Sequence, residues 1–180
     1  MYVVGLGDEE VRPLMPRHMD RAEAIFAGLI QPGANSWVAE SGEGRVIGLA
    51  LCREPPAGAS SMESWRTYRQ HLPLLAALRA RIVANYLYRV RLAEDAVYLQ
   101  SLVVSQDWQG RGVGSALVDF VCRTARQRGY SRVRLNVVEG NERARLLYDH
   151  LGFHKLQTIP TGFYRHLVGW ASLDSMEKAL

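Results

Sequence analysis

Three glycines at alternate positions, Gly110, Gly112 and Gly114, separate an apolar extended run from an amphipathic stripe. The run covers residues 97–105. The stripe is Val113, Ala116, Leu117, Phe120, Val121 and Thr124, with Ser115, Asp119, Arg123 and Arg126 on the other side. Apolar residues at helical spacing mark one face of a helix, and a short continuous apolar run reads as a strand. A strand that feeds a helix through such a loop leaves the first N–H groups of the helix unpaired, at the positive end of its dipole. Glycine lets an anion approach that backbone, so the pattern predicts a phosphate or pyrophosphate site. Neither common nucleotide fingerprint closes: GxxxxGK[ST] lacks its lysine, and Gly110, Gly112 and Ser115 occupy the three positions of GxGxxG.

The same alternation continues downstream. Residues 132–138 read as a strand and residues 142–151 as a helix, and the two helices end at Gly129 and Gly152, where a left-handed residue commonly terminates a helix. Residues 153–157 and 163–173 read as closing strands. Upstream, residues 37–40 and 46–51 flank Ser41-Gly42-Glu43-Gly44 and predict a hairpin. Gly48 inside its second strand suggests a bulge or a close approach of another chain segment. Residues 2–4 and 11–14 read as extended, and Met19, Ala22, Ile25, Phe26 and Leu29 as a helix stopping near Pro32-Gly33. A Pro/Gly/Ser-rich break begins at Pro55. Residues 65–91 then read as helical, interrupted at Pro73, with Trp65, Tyr68, Tyr86 and Tyr88 available for a core or a pocket. At 180 residues the chain fits one domain, residues 1–180. A hairpin-rich half followed by a βαβα half predicts an α/β fold. Its sheet is mixed and mostly antiparallel, flanked by helices, with a helical insertion over residues 55–92 between the third and fourth strands.

Composition narrows the function classes. The net charge of +4 is almost all arginine, since Lys155 and Lys178 are the two lysines. No basic block is interleaved with aromatics, so nucleic acid is not an expected partner. No apolar run is long enough to span a bilayer, and the start of the chain has no basic and apolar leader, which together predict a cytoplasmic protein. Cys52 and Cys122 lack metal-type spacing and read as reduced core thiols, and no metal site is expected.

Two segments carry a resemblance. Gln109-Gly110-Arg111-Gly112-Val113-Gly114 is similar to the [RQ]-x-x-G-x-[GA] acetyl-CoA loop of the GNAT superfamily of N-acetyltransferases. The stretch from Asn141 through Ala144, Leu147 and Tyr148 to Gly152 and Phe153 resembles that family's N-x-x-A-x-x-L-Y-x-x-x-G-F helix, and the upstream elements fit its order. The resemblance implies that the backbone of Leu102, Val103 and Val104 pairs with the pantetheine arm. It implies that Gln109, Gly110, Arg111, Gly112, Val113, Gly114 and Ser115 wrap the pyrophosphate. Asn141 is implied to contact the arm, and Tyr148 to sit beside the sulfur. Residues 55–92 depart from the family pattern, which commonly has a short connection there.

Read from its residues alone, Asn141 is a good N-cap, and Tyr148 lies on the buried stripe with Ala144, Leu147 and Leu151. Acetyl transfer to an amine needs a neutral nitrogen, donors for the carbonyl oxygen and a proton for the departing thiolate. A phenol of pKa about 10 facing a thiol of about 8.5 makes Tyr148 the candidate general acid. The base is open: where many relatives place a glutamate the sequence has Asn136, with Glu139 and Gln100 nearby. The expected activity is acetyl-CoA-dependent acetylation of a primary amine, compatible with a homodimer. The alternative is a non-catalytic acyl-CoA-binding or regulatory domain of the same fold.

Overall fold

In the computed structural model, residues 35–55, 61–87, 93–162 and 170–180 are described, with the side chains of 61–64 and 83–87 left aside. The expected N-terminal strands and helix lie outside these residues.

The described chain runs β1 (Ser36–Glu40), β2 (Val46–Arg53), α1 (Ser61–His71), α2 (Leu74–Leu87), β3 (Ala96–Val104), α3 (Val113–Gln127), β4 (Arg132–Val138), α4 (Glu142–His150), β5 (His154–Pro160) and β6 (Ser172–Ala179). Six strands form one sheet in the order β1-β2-β3-β4-β6-β5. Every pairing is antiparallel except that of β3 with β4, as a strand–helix–strand crossover through α3 requires. The closing strand expected at residues 163–173 instead starts at Ser172 and runs to Ala179, and residues 163–169 lie outside the description. It alternates Leu173, Ser175 and Glu177 with Asp174, Met176 and Lys178, a period-two pattern whose polar members hid it in the sequence.

The hairpin forms as expected, with Gly44 N–H donating to Ser41 O at 2.9 Å and Gly44 in the left-handed region at φ +74°. Both readings of Gly48 hold. Ala39 pairs with Gly48 and Glu40 with Val46, so Ile47 is the extra residue of a bulge. A Cβ on Gly48 would also stand 2.9 Å from Leu117 Cδ1 and 3.1 Å from Val113 Cγ1, because α3 packs directly on this strand.

The core lies between the sheet and α3. Ala50, Cys52, Val97, Leu99, Leu102, Val133, Leu135 and Met176 meet Leu117, Val118, Val121, Cys122 and Ala125, joined by Tyr148 and Phe153. The buried face of α3 is therefore rotated relative to the expected stripe, toward Val118, Cys122 and Ala125. Phe120 is 41% exposed and packs edge-on against Trp37 at 5.9 Å, since it sits over the sheet margin rather than its middle. Past the bulge at Gln100, which separates the Leu51–Ser101 and Cys52–Leu99 pairs, β3 stays paired with β2 up to Val104. Its pairing with β4 covers Ala96–Tyr98 against Arg132–Arg134 and stops there. Beyond Tyr98 the two parallel strands part.

Candidate functional site

The gap between β3 and β4 opens onto the start of α3, and each local feature there follows from sequence. Gly112 is the N-cap residue of α3 at φ +82°, ψ −3°, a conformation that costs an L side chain on the order of 1–2 kcal/mol. It offers no side-chain cap, and no acidic residue lies in the first turn. The first N–H groups of a 15-residue helix thus point outward without a side-chain acceptor, at the positive end of its dipole. Gly110 is also left-handed, at φ +75°. Beyond its chain neighbours and its own helix's backbone, no described residue comes within 4 Å of where a Gly112 Cβ would be, so the space in front of the loop is open.

A cavity of about 360 Å³ occupies that space. Leu102 and Val104 of β3 form one wall, and Asn141, Arg143, Ala144, Leu147 and Tyr148 of α4 the other. Trp108, Gln109, Gly110, Gly112, Gly114 and Ser115 close it. Of the residues singled out in the sequence, these bring together Leu102, Val104, Gln109, Gly110, Gly112, Gly114, Ser115, Asn141 and Tyr148. Three stand apart from the cavity wall. Val103 is buried on the opposite sheet face, consistent with strand alternation. Arg111 is exposed, its guanidinium 5.3 Å from the Trp108 ring centroid. Val113 packs beside Gly48.

Sequence reasoning missed two residues of the cavity wall, Arg143 and Trp108, and Arg143 ties the site together. Arg143 Nη1 donates to Gln109 Oε1 at 2.6 Å, and Gln109 Nε2 donates to Val104 O at 3.2 Å. One side-chain chain thus spans α4, the glycine loop and the end of β3. The signal for Arg143 was a cation in the first turn of a helix whose stripe excluded it; Trp108 carried none, because an aromatic in a loop has no periodicity. Asn141 Oδ1 accepts from Ala144 N–H at 3.0 Å, so its oxygen is the helix cap and its amide NH₂ is what remains for a ligand.

Tyr148 is 7% exposed yet reaches the cavity. Burial, with a smaller contribution from nearby Cys52, pushes its phenol well above the ordinary value, so it stays protonated. Of the base candidates, Glu139 is exposed in the turn after β4, and Gln100 is half-buried at the β3 bulge. Asn136 lies on β4, two residues past the last β3–β4 pair. Among the described residues no group of three or more His, Cys, Asp or Glu side chains could hold a metal. No described helix is long and apolar enough to cross a membrane.

Comparison with known proteins identifies the family of this sheet, whose central parallel strands part beside a glycine-rich helix start. Residues 6–153 match the Acetyltransferase (GNAT) family, and the chain belongs to it. Among curated relatives, N-acetyltransferase 8B of Rattus norvegicus is 30% identical over 155 residues, 84% of this chain and 54% of the rat protein. A mycothiol acetyltransferase of Beutenbergia cavernae is 53% identical over 45 residues, 25% of this chain and 15% of that protein. The chain spans about half the length of the rat relative and less of the other. In fold it is similar to a GCN5-related N-acetyltransferase from Kribbella flavida, with 23% identity, a TM-score of 0.56 and coverage of 88% of this chain and 76% of that one. It is also similar to a GNAT family acetyltransferase from Elizabethkingia anophelis with acetyl-CoA bound, with 12% identity, a TM-score of 0.55 and coverage of 93% and 88%.

Proposed function

We propose that this chain is an acetyl-CoA-dependent N-acetyltransferase that moves the acetyl group to a primary amine, with Tyr148 as general acid. The observation that carries this reading is the parting of β3 from β4 beside the uncapped start of α3. A parted strand offers backbone groups that an amide-bearing arm can pair with, as a neighbouring strand would. The residues present fit acetyl-CoA: Leu102, Val104 and Leu147 supply apolar wall for the pantetheine arm, and the left-handed Gly110 and Gly112 with the helix start supply N–H groups for the pyrophosphate. Arg143 adds a cation beside the loop.

In this reading Leu102, Val103 and Val104 present backbone to the arm. Gln109 through Ser115 hold the pyrophosphate, and the amide of Asn141 meets the arm from α4. The amine nitrogen attacks the thioester carbon, the C–S bond breaks, and the Tyr148 hydroxyl gives its proton to the leaving sulfur. A buried phenol is a weaker acid than one in water. The same water-poor surroundings raise the sulfur's proton affinity too, so the transfer keeps its sense.

The proposed domain covers residues 1–180. Residues 55–92 are the proposed helical insertion within it, bearing on acceptor choice or association; in its described part, α1 and α2, Tyr68 is buried, and Arg81 lies 5.6 Å over the Trp65 ring. A homodimer and a cytoplasmic location complete the proposal. The decisive experiment mixes the protein with acetyl-CoA and a panel of primary amines and follows release of CoA thiol. Amine-dependent release supports the reading. Acetyl-CoA binding by calorimetry without release for any amine supports the non-catalytic alternative.

A further inference from the structure

Asn136 carries a buried polar atom that no described residue bonds. Leu135 and Val137 on either side of it belong to β4's α3-facing surface, so strand alternation sends the Asn136 side chain to the opposite face of the sheet. Its Oδ1 is enclosed there and has no hydrogen-bond partner among the described residues. A buried acceptor left unpaired costs on the order of 1–3 kcal/mol, a deficit that a bound donor removes. Its location gives that donor a reason to be there. The β3–β4 pairing ends at Tyr98 and Arg134, so Asn136 stands on β4 just beyond the last pair, while Leu102 and Val104, farther along β3, wall the Tyr148 cavity on the helical face.

Among the described residues, the groups beside it on β4, β6 and β3 are not free bases. On the same face of β4, Arg134 Nε donates to Glu177 Oε2 at 2.5 Å, and Arg132 Nη1 lies 3.6 Å from that oxygen. The Glu177 carboxylate, opposite Arg134 on β6, is thus engaged by two guanidiniums. Ser175, the β6 residue paired with Asn136, is buried and does not titrate. From β3, Tyr98 and Gln100 lie alongside, and Tyr98 is buried. No described carboxylate beside Asn136 is left for proton removal.

Resting on the acetyltransferase reading, we propose that Asn136 Oδ1 is the acceptor-binding group, taking a hydrogen bond from the attacking amine, and that the protein selects amines already neutral in solution. The step balances without an enzyme base. The neutral R–NH₂ forms the N–C bond as C–S breaks, nitrogen gives up one proton and sulfur gains one, leaving amide and CoA thiol. An amide oxygen can hold an N–H but cannot remove its proton at neutral pH. The pH dependence of kcat/KM for the amine then belongs to the amine itself.

The test compares glycinamide, whose amine is of the α-amino type with a pKa of about 8, with n-butylamine, whose amine resembles that of lysine at about 10.4. With the wild-type protein, log kcat/KM is expected to rise with unit slope up to each amine's own pKa, giving two midpoints roughly two pH units apart. Asn136→Leu is expected to lower kcat/KM at least tenfold with the acetyl-CoA Kd unchanged. Asn136→Glu is expected to flatten the slope at neutral pH by supplying a base. A common midpoint for both amines in the wild type, set by an enzyme group, overturns the proposal, as does an Asn136→Leu variant of wild-type kcat/KM. The wild-type comparison needs no variant to fold. Absence of CoA release with every amine overturns the acetyltransferase reading itself, and this inference with it.

Discussion

The carbonyl of Tyr148 accepts the N–H of Phe153 at 2.9 Å, and the two rings meet edge to face with centroids 5.6 Å apart. This is a helix terminus closing on itself. Gly152 at φ +84° reverses the chain, its N–H bonds Asp149 O at 3.0 Å, and Phe153 folds back over the last turn. The Tyr-x-x-x-Gly-Phe spacing is therefore a mechanical requirement: the glycine makes the turn, and the phenylalanine ring braces the tyrosine ring. α3 ends the same way, with Gly129 N–H on Arg126 O at 3.0 Å and Tyr130 N–H on Ala125 O at 3.1 Å.

Because Phe153 braces the ring, Tyr148→Phe keeps the packing and removes the hydroxyl alone. Stability and acetyl-CoA affinity are expected to stay close to wild type. The kcat for the amine is expected to fall by about 10²–10⁴-fold, the usual contribution of a positioned acid. A loss confined to kcat marks an interaction made in the transition state. Turnover within about twofold of wild type, with chemistry rate-limiting, makes Tyr148 a packing residue.

Gly112→Val places a branched side chain at φ +82° and in the open space before the loop. Acetyl-CoA binding is expected to weaken at least tenfold, or by about 1.4 kcal/mol. The backbone strain is expected to lower stability by about 1–2 kcal/mol. Calorimetry and thermal unfolding read the two effects separately. A folded variant with unchanged cofactor affinity removes Gly112 from the site.

Arg143→Ala cuts the link to Gln109 and removes a cation from the cavity wall. A three- to tenfold rise in the acetyl-CoA Kd is expected, about 0.7–1.4 kcal/mol. The variant's affinity is also expected to depend less on salt than the wild type's, since screening acts on the lost charge. Identical Kd values and salt slopes for the two proteins reduce Arg143 to a surface residue.

Burial, then the charge of Glu54, pushes the Cys52 thiol well above its ordinary value, and burial likewise raises Cys122. Both are expected to resist alkylation in the native protein at pH 8 and to react once it is unfolded. A group whose folded pKa lies above its unfolded one stabilises fully below the unfolded value and loses that contribution as pH rises. With the two thiols and Tyr148 all raised, stability is expected to decline above pH of about 8.5, where an unfolded thiol ionises. Rapid labelling of native protein, or a flat stability profile from pH 8 to 11, contradicts the buried assignment.

What the sequence determined by itself is whatever local chemistry fixes. The extended run, the three glycines and the following helix were legible because backbone conformation there depends on neighbours a few residues away. The same holds for the Gly129 and Gly152 termini, the hairpin at Gly44 and the cap at Asn141, each a contact within about five residues. Tertiary structure alone decided which groups meet across long separations. No period in the sequence marks that β3 stays paired with β2 to Val104 but leaves β4 after Tyr98, since that depends on segments far apart in the chain. None marks that Arg143 reaches Gln109, 34 residues away, or that Phe120 leans on Trp37 instead of joining the core. Asn136 illustrates the divide most sharply. Its sequence position raised the question of a base, but only the assembled sheet buries its oxygen with no partner, because burial belongs to everything packed around a residue and not to its neighbours in the chain.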